Sequence, residues 1–462
     1  MLLAAAAAGL APTPSLTLRP PPTALPPTLS PAHAEAIHAV THEHAAAASK
    51  HEECWALDYE PLPHFFMEDD FKVATRVQSN YAGPDAVSLH EGGVVHETTA
   101  PILASHECER LVAEVQSMLE SRAANPAKYG EGQGDTLYSV PEVERRVVHL
   151  HAMQAYGSSW LQRKLRTHFF PMVANRYGLD PWQLGVEDAL IIGYDAAANA
   201  TQMPAHRDSA LVTINIALSD SSDYTGGGTL IEASGDVLRM ERGHAALHAS
   251  GVRHAGHHIT SGTRWVMVIF VRSRQVPQLA WRCAERAAIA KARASEVMAA
   301  LGAPSEALAA LDEAQLYLGA AAALAPNDHE ILHARAGLHD MRGEEAEARQ
   351  CAAAAAAAYP PCPKPRIALG SLLLKKERFR AALRHFEVAM AAAEAEDGDD
   401  AWEARCNGAL AVIRLLQRYG TSPTPLAVAT LWLQRAIAAA PEDARLLTLQ
   451  EEAEALRCIE DT

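Results

Sequence analysis

Two histidines, an aspartate and an arginine carry the chemistry legible in this sequence. His206 and Asp208 stand two apart in Met203-Pro204-Ala205-His206-Arg207-Asp208, and His254 and Arg264 lie downstream. On an extended strand, residues two apart leave by the same face. An imidazole and a carboxylate from that face, joined by a second imidazole from a neighbouring strand, make a 2-His-1-carboxylate facial triad. Such a triad holds Fe(II) and leaves the remaining positions open for substrate and oxygen. Zinc prefers closed ligation by nitrogen and sulfur, and no cysteine lies in this region. His-x-Asp alone is a common pair, whose plain reading is a surface strand with two polar residues.

Arg264 gives the pair its context. It opens the run Trp265-Val266-Met267-Val268-Ile269-Phe270-Val271, apolar on both faces, which reads as a strand buried on both sides. A buried guanidinium without a partner is costly, and carboxylates bind it bidentately. The plain partner is a protein Asp or Glu. Beside a triad, the distal carboxylate of a metal-bound keto-diacid is the better one.

Elements must bring these groups together. Gly93–Val95, Ala189–Ile192, Leu211–Leu218, Thr229–Glu232 and Trp265–Val271 read as short strands, broken by Ser219–Asp223 and Gly226-Gly227-Gly228. Ser105-His106-Glu107-Cys108-Glu109 reads as a capped helix start, and a second helical stretch is expected from Pro141 to Tyr177. Residues 283–458 are alanine-rich and helical, with an internal repeat. Ala314, Leu318 and Ala321 precede Pro326 by 12, 8 and 5 residues; Ala348, Ala352 and Ala355 hold the same offsets before Pro360. Ala382, Phe386 and Ala389 follow at another step of 34, and Ala429, Leu433 and Ala436 after a step of 47, which implies an insertion around Glu394–Asp400. Small residues at such steps suit helix pairs that cross closely and bury their apolar faces only against neighbours.

The 462 residues hold 40 Lys and Arg against 56 Asp and Glu, a formal charge of −16, which argues against nucleic acid as the main partner. No apolar run is long enough for a transmembrane helix. Seven cysteines, sparse and odd in number, do not build a disulfide framework and read as small buried thiols. The first fifty residues, acid-poor and rich in Ala, Pro and Ser, read as a disordered low-complexity or targeting segment, consistent with a secretory (ER lumen) or plastid address if a leader. His33, His38, His42, His44 and His51 within and beside it are expected to be exposed and without a metal. The expected organisation is that segment at 1–50, a linker or extension at 51–92, a catalytic domain at 93–274 and a helical array at 280–460.

Residues 93–274, about two-fifths of the chain, resemble the double-stranded β-helix (jelly-roll) domain of the iron(II)/2-oxoglutarate dioxygenases, in the prolyl and lysyl hydroxylase branch. Tyr194, Pro204–Asp208, Thr213–Ser219, Asp223–Gly228 and Gly262-Thr263-Arg264-Trp265 carry the likeness to lysyl hydroxylases, and His254-Ala255-Gly256 looks like the prolyl 4-hydroxylase version. The 34-residue units, with Leu369-Gly370 early in the third, resemble tetratricopeptide repeats. The expected fold is therefore multidomain α+β, a jelly roll followed by an all-α array.

The resemblance implies that His206, Asp208 and His254 ligate Fe(II) and that Arg264 anchors the 5-carboxylate of 2-oxoglutarate. Oxygen is then consumed with decarboxylation to succinate, a peptidyl lysine or proline is hydroxylated, and L-ascorbate keeps the iron reduced. Of the rival imidazoles His248, His257 and His258, none has the spacing to Gly256, Gly262 and Arg264 that His254 has in the family. Tyr194 matches a family tyrosine that would donate to 2-oxoglutarate. Thr213 and Asn215 share a face, but reach the site only if the chain breaks near Ser209-Ala210; an unbroken strand from His206 would turn them away. Met203 stands where prolyl hydroxylases usually have tyrosine, and the repeats are C-terminal rather than N-terminal. Helical repeats form concave surfaces for extended chains, so a peptide or protein substrate, or a protein partner on the array, is expected. The rivals are a catalytically inactive barrel serving a repeat-based scaffold and, last, a zinc hydrolase on a cupin-like barrel.

Overall fold

The computed structural model describes residues 29–41, 68–78, 82–124, 143, 146–154, 160–274, 276–300, 302–394 and 402–460. A β-rich region is followed by a run of helices. The strands are β1 (Phe71–Arg76), β2 (Val94–Thr98), β3 (Val147–His149), β4 (Leu184–Asp195), β5 (Met203–His206), β6 (Val212–Ala217), β7 (Tyr224–Gly226), β8 (Thr229–Ile231), β9 (Asp236–Leu238), β10 (Ala245–Ala249), β11 (His254–Gly256) and β12 (Ile259–Ser273). One antiparallel sheet runs β1-β2-β10-β6-β12-β4-β3, with β7 on the end of β12; a smaller one runs β5-β11-β8-β9.

The apolar run after Arg264 forms the middle of β12, hydrogen-bonded to β4 on one side and β6 on the other. Alternation along the strand sorts its two faces. Trp265, Met267, Ile269 and Val271 join the main core, while Val266 and Val268 join a second cluster with Leu190, Ile192 and Tyr194 of β4 and Met203 of β5. Against the main core pack a helix at Ser105–Ala124, through Cys108, Leu111 and Val115, and a helix that runs from Trp160 to Tyr177 through a π turn at Leu165–Phe169. Burying this face leaves the other face of the sheet to line a cavity.

Three expectations need correction. Within the helix expected over 141–177, Val147–His149 is instead an edge strand paired with Leu190–Ile192, because its β-branched pair packs better on the sheet than in a helical turn. Phe71–Arg76, within the stretch expected to be a linker or an N-terminal extension of the domain at 93–274, pairs antiparallel with β2, so the sheet begins before residue 93. Residues 31–41, expected in a disordered segment, form a helix whose Ala36, Ile37 and Val40 are buried against the first helices of the array. His33 and His38 lie on that helix, whereas His42, His44, His51 and residues 1–28 fall outside the described residues.

Numbered from that segment, α1 is 31–41, α2 is Ser105–Ala124 and α3 the helix ending at Tyr177. The array is α4 (Leu279–Ala299), α5 (Pro304–Leu324), α6 (His329–Met341), α7 (Glu345–Ala358), α8 (Pro363–Lys375), α9 (Phe379–Glu394), α10 (Trp402–Tyr419), α11 (Leu426–Ala439) and α12 (Ala444–Glu460). The twelve counted repeat positions fall on α5, α7, α9 and α11, and none is more than 1% exposed. The expected insertion falls among residues outside those described. None of the described helices is long and apolar enough to cross a membrane.

Gly370 explains its own place in the repeat. A β-carbon there would come within 2.6–2.9 Å of three ring atoms of Phe386, which is fully buried and has nowhere to retreat. Gly370→Ala is expected to lower stability by about 1–2 kcal/mol, overpacking outweighing a helix-propensity gain of about 0.5–1 kcal/mol. Urea unfolding read at the array's helical signal checks this; an unchanged or raised midpoint would show that Phe386 can yield.

Candidate metal centre

The small sheet sets the two imidazoles side by side. His254 of β11 pairs directly with His206 of β5, and their ring centroids are 4.6 Å apart. Asp208 follows β5, placed by its N–H donating to the Ser250 carbonyl at 2.9 Å. His206 Nε2 lies 3.4 Å from Asp208 Oδ1 and His254 Nε2 3.5 Å from Asp208 Oδ2, and the three ligand atoms all lie within 4.8 Å of one another.

Each ring is turned by its other nitrogen. His206 Nδ1 is 2.8 Å from the Pro204 carbonyl and His254 Nδ1 is 3.0 Å from the Val252 carbonyl. A carbonyl only accepts, so each Nδ1 carries its proton and Nε2 is the nitrogen that each ring turns inward. This is how metal-ligating histidines are oriented. Burial, outweighing the neighbouring carboxylate, pushes His254 down to about 3, so the ring is neutral at physiological pH. Asp208 is held in the opposite sense: burial would raise it, but the charge that His254 and His206 carry when protonated keeps it well below the usual carboxylate range. Two neutral-capable nitrogens and one ionised carboxylate fit a divalent cation of intermediate softness.

The rival imidazoles are otherwise employed. His248 Nδ1 is 2.9 Å from the Ala249 carbonyl and its Nε2 3.1 Å from Asn215 Nδ2, with its ring tilted against that of His254 at 4.4 Å between centroids. His257 and His258 follow β11 and do not belong to the group of converging ligand atoms.

Thr213 and Asn215 do face the site, because the chain breaks between β5 and β6. Gln278, at the entry to α4, holds that break by donating to the carbonyls of Ala210 (2.6 Å) and Ser209 (3.1 Å). Thr213 Oγ1 then donates to Asp208 Oδ2 at 2.5 Å, and Asn215 lines the cavity.

That cavity is lined by both sheets and contains His206, Asp208, His254, Asn215, Tyr194, Thr229 and Arg264. Arg264 is 4% exposed. Its guanidinium lies over the Tyr194 ring, 5.2 Å from the centroid, and Nη2 reaches Thr229 Oγ1 at 3.5 Å. Among the described residues no carboxylate lies within 4.0 Å of it. Tyr194 lies against the backbone at Gly256, where a β-carbon would come within 2.2 Å of the phenol oxygen. Burial raises the phenol's pKa, so it keeps its proton and can donate.

A second group was not legible beforehand. Ligand atoms of His149, His151 and Asp188 also lie within 4.8 Å of one another, at the β3 edge. His149 Nδ1 is 2.9 Å from Asp188 Oδ2, a paired arrangement rather than an open one. Reading 141–177 as a helix hid it, and three residues offered no period to reveal it.

No family profile and no curated protein matches the chain. Among solved structures it is similar to a viral collagen prolyl hydroxylase from Paramecium bursaria Chlorella virus-1 in complex with 2-oxoglutarate: 15% identity, 39% of this chain and 95% of that one, TM-score 0.27. A non-heme monooxygenase, ThoJ with nickel, gives 17% identity, 38% and 73% coverage and a TM-score of 0.28. The first tetratricopeptide domain of human RPAP3 gives 15%, 29% and 97%, and 0.25. Likenesses this slight carry no functional weight by themselves.

Proposed function

We propose that the chain is an Fe(II)- and 2-oxoglutarate-dependent dioxygenase, built on a double-stranded β-helix, that hydroxylates a peptidyl lysine or proline. The observation that carries the reading is Arg264: a buried guanidinium without a carboxylate among the described residues, in the same cavity as three converging metal-ligand atoms. A buried guanidinium without a carboxylate is costly, and the distal carboxylate of a diacid that also reaches the metal group would supply one.

His206, Asp208 and His254 would hold the metal on one face through Nε2, a carboxylate oxygen and Nε2. Bound iron supplies the oxidative chemistry: 2-oxoglutarate and oxygen give succinate and carbon dioxide, and the second oxygen atom enters a substrate C–H bond. Arg264 binds the distal carboxylate of the diacid bidentately and sets its reach. Tyr194 and Thr229, both beside the guanidinium, offer hydroxyls to the same carboxylate. Thr213 fixes which oxygen of Asp208 faces inward, and Asn215 holds His248 behind His254. Val266, Val268 and Phe270 line the cavity with apolar surface and restrict water. Ascorbate would maintain the ferrous state, and the array would present the peptide or a partner protein.

The test is the full chain incubated with ferrous salt, 2-oxoglutarate, ascorbate and libraries of lysine- and proline-containing peptides. Succinate release and a peptide heavier by one oxygen atom are expected. No iron-dependent succinate at all would favour a catalytically inactive scaffold, and hydroxylation of a free amino acid but of no peptide would overturn the substrate class.

A further inference from the structure

Arg207 lies between His206 and Asp208, and Arg253 immediately precedes His254, so all three proposed ligands have an arginine as chain neighbour. Neither guanidinium points into the cavity of the metal group. Both meet the N-terminus of α6, the third helix of the array. Arg207 Nη1 lies 2.8 Å from Asp328 and 3.3 Å from Glu330, and its Nη2 is 3.2 Å from His329 Nδ1. Arg253 Nη1 lies 3.1 Å from Glu330, Nε donates to Glu232 at 2.7 Å, and Nη2 donates to the Ala205 carbonyl at 3.1 Å. Ala205 is the residue before His206, so Arg253 ties the strand of one imidazole to that of the other. A fourth array residue closes the arrangement: the Tyr359 hydroxyl donates to Glu232, and its ring stacks on His329 at 4.5 Å.

Asp328 does two things at once. One carboxylate oxygen caps α6, accepting from the N–H groups of Glu330 and Ile331 at 3.0 Å each, and the other receives Arg207. Arg253, Asp328, His329 and Tyr359 are all less than 9% exposed. Charge-assisted bonds in such a setting fix geometry more strictly than exposed pairs do.

We propose that Asp328 and Glu330 are positioning residues of the metal centre, acting through Arg207 and Arg253, so that the array completes the site instead of merely hanging from it. This rests on the reading that His206, Asp208 and His254 bind a divalent metal. Partners beyond the ligands commonly change metal affinity by about 10–100-fold when removed, and a loss in that range is expected here.

The test titrates Co(II), followed by its d–d absorption, into the full-length chain and into Asp328→Asn/Glu330→Gln. Asparagine caps a helix as well as aspartate does, so α6 keeps its start while the arginines lose their anions. At least a tenfold weaker affinity with an altered d–d band is expected, at a temperature where circular dichroism finds both proteins folded. Gly370→Ala serves as the control for array destabilisation remote from the metal, and is expected to keep wild-type affinity. If the double variant does not fold, Glu330→Gln alone is titrated, with a severalfold loss expected. Wild-type affinity and spectrum in a folded variant would overturn the proposal alone. No Co(II) binding by the unsubstituted chain would remove the metal reading itself, and this proposal with it.

Discussion

His254→Ala is expected to abolish iron-dependent succinate formation while His257→Ala leaves it nearly unchanged. Removing an outer partner of a ligating histidine costs about 10–100-fold in affinity or activity, so loss of a ligand should exceed the upper end of that range. The comparison is discriminating because the two histidines are only three residues apart, His254 in β11 and His257 just after it. His254 presents Nε2 to Asp208 and anchors Nδ1 on Val252, whereas His257 does not belong to the converging group. His254→Ala also leaves a gap beside His248, so thermal melting should accompany the assay. A folded, metal-free protein is the expected product. Full turnover in His254→Ala with loss in His257→Ala would transfer the ligand role to the other imidazole.

Arg264→Met is expected to separate binding from stability. Methionine keeps the apolar stem and removes the guanidinium. Leaving one member of a buried ion pair without its partner costs about 3–5 kcal/mol, so 2-oxoglutarate should bind about 10²–10⁴-fold more weakly. In the ligand-free protein the sign reverses. Arg264 has no carboxylate there among the described residues, so its removal should leave the melting temperature unchanged or raised. Calorimetric titration of 2-oxoglutarate beside thermal unfolding of the free protein checks both halves. A destabilised Arg264→Met that still binds the diacid would mean that the guanidinium is a structural group.

How much of this was legible depends on the range of the interactions involved. His206 and Asp208 could be read because their separation equals the period of a strand, and the twelve repeat positions because a helix pair buries the same places in every unit. Thr213 was undecided for a definite reason. Its face depends on whether the chain breaks after Asp208, and the break is held by Gln278, a residue far along the sequence. Val147–His149 was misread because three residues are too few to display a period, and pairing with β4 overrode local preference. The helix at 31–41 was missed because its stability comes from packing on α4 and α5, not from its own composition.

The sequence by itself marked His206, Asp208 and His254 as groups that could converge on a metal, and a strand-rich region followed by an array of 34-residue helical units. Those are consequences of local periodicity and side-chain chemistry, which act over a few residues. Only the tertiary structure decided which nitrogen each imidazole presents, that Arg264 is left without a protein carboxylate among the described residues, and that Arg207 and Arg253 are held by the third helix of the array. Each of these depends on groups brought together across sheets and domains, where partner and direction are set by packing rather than by spacing.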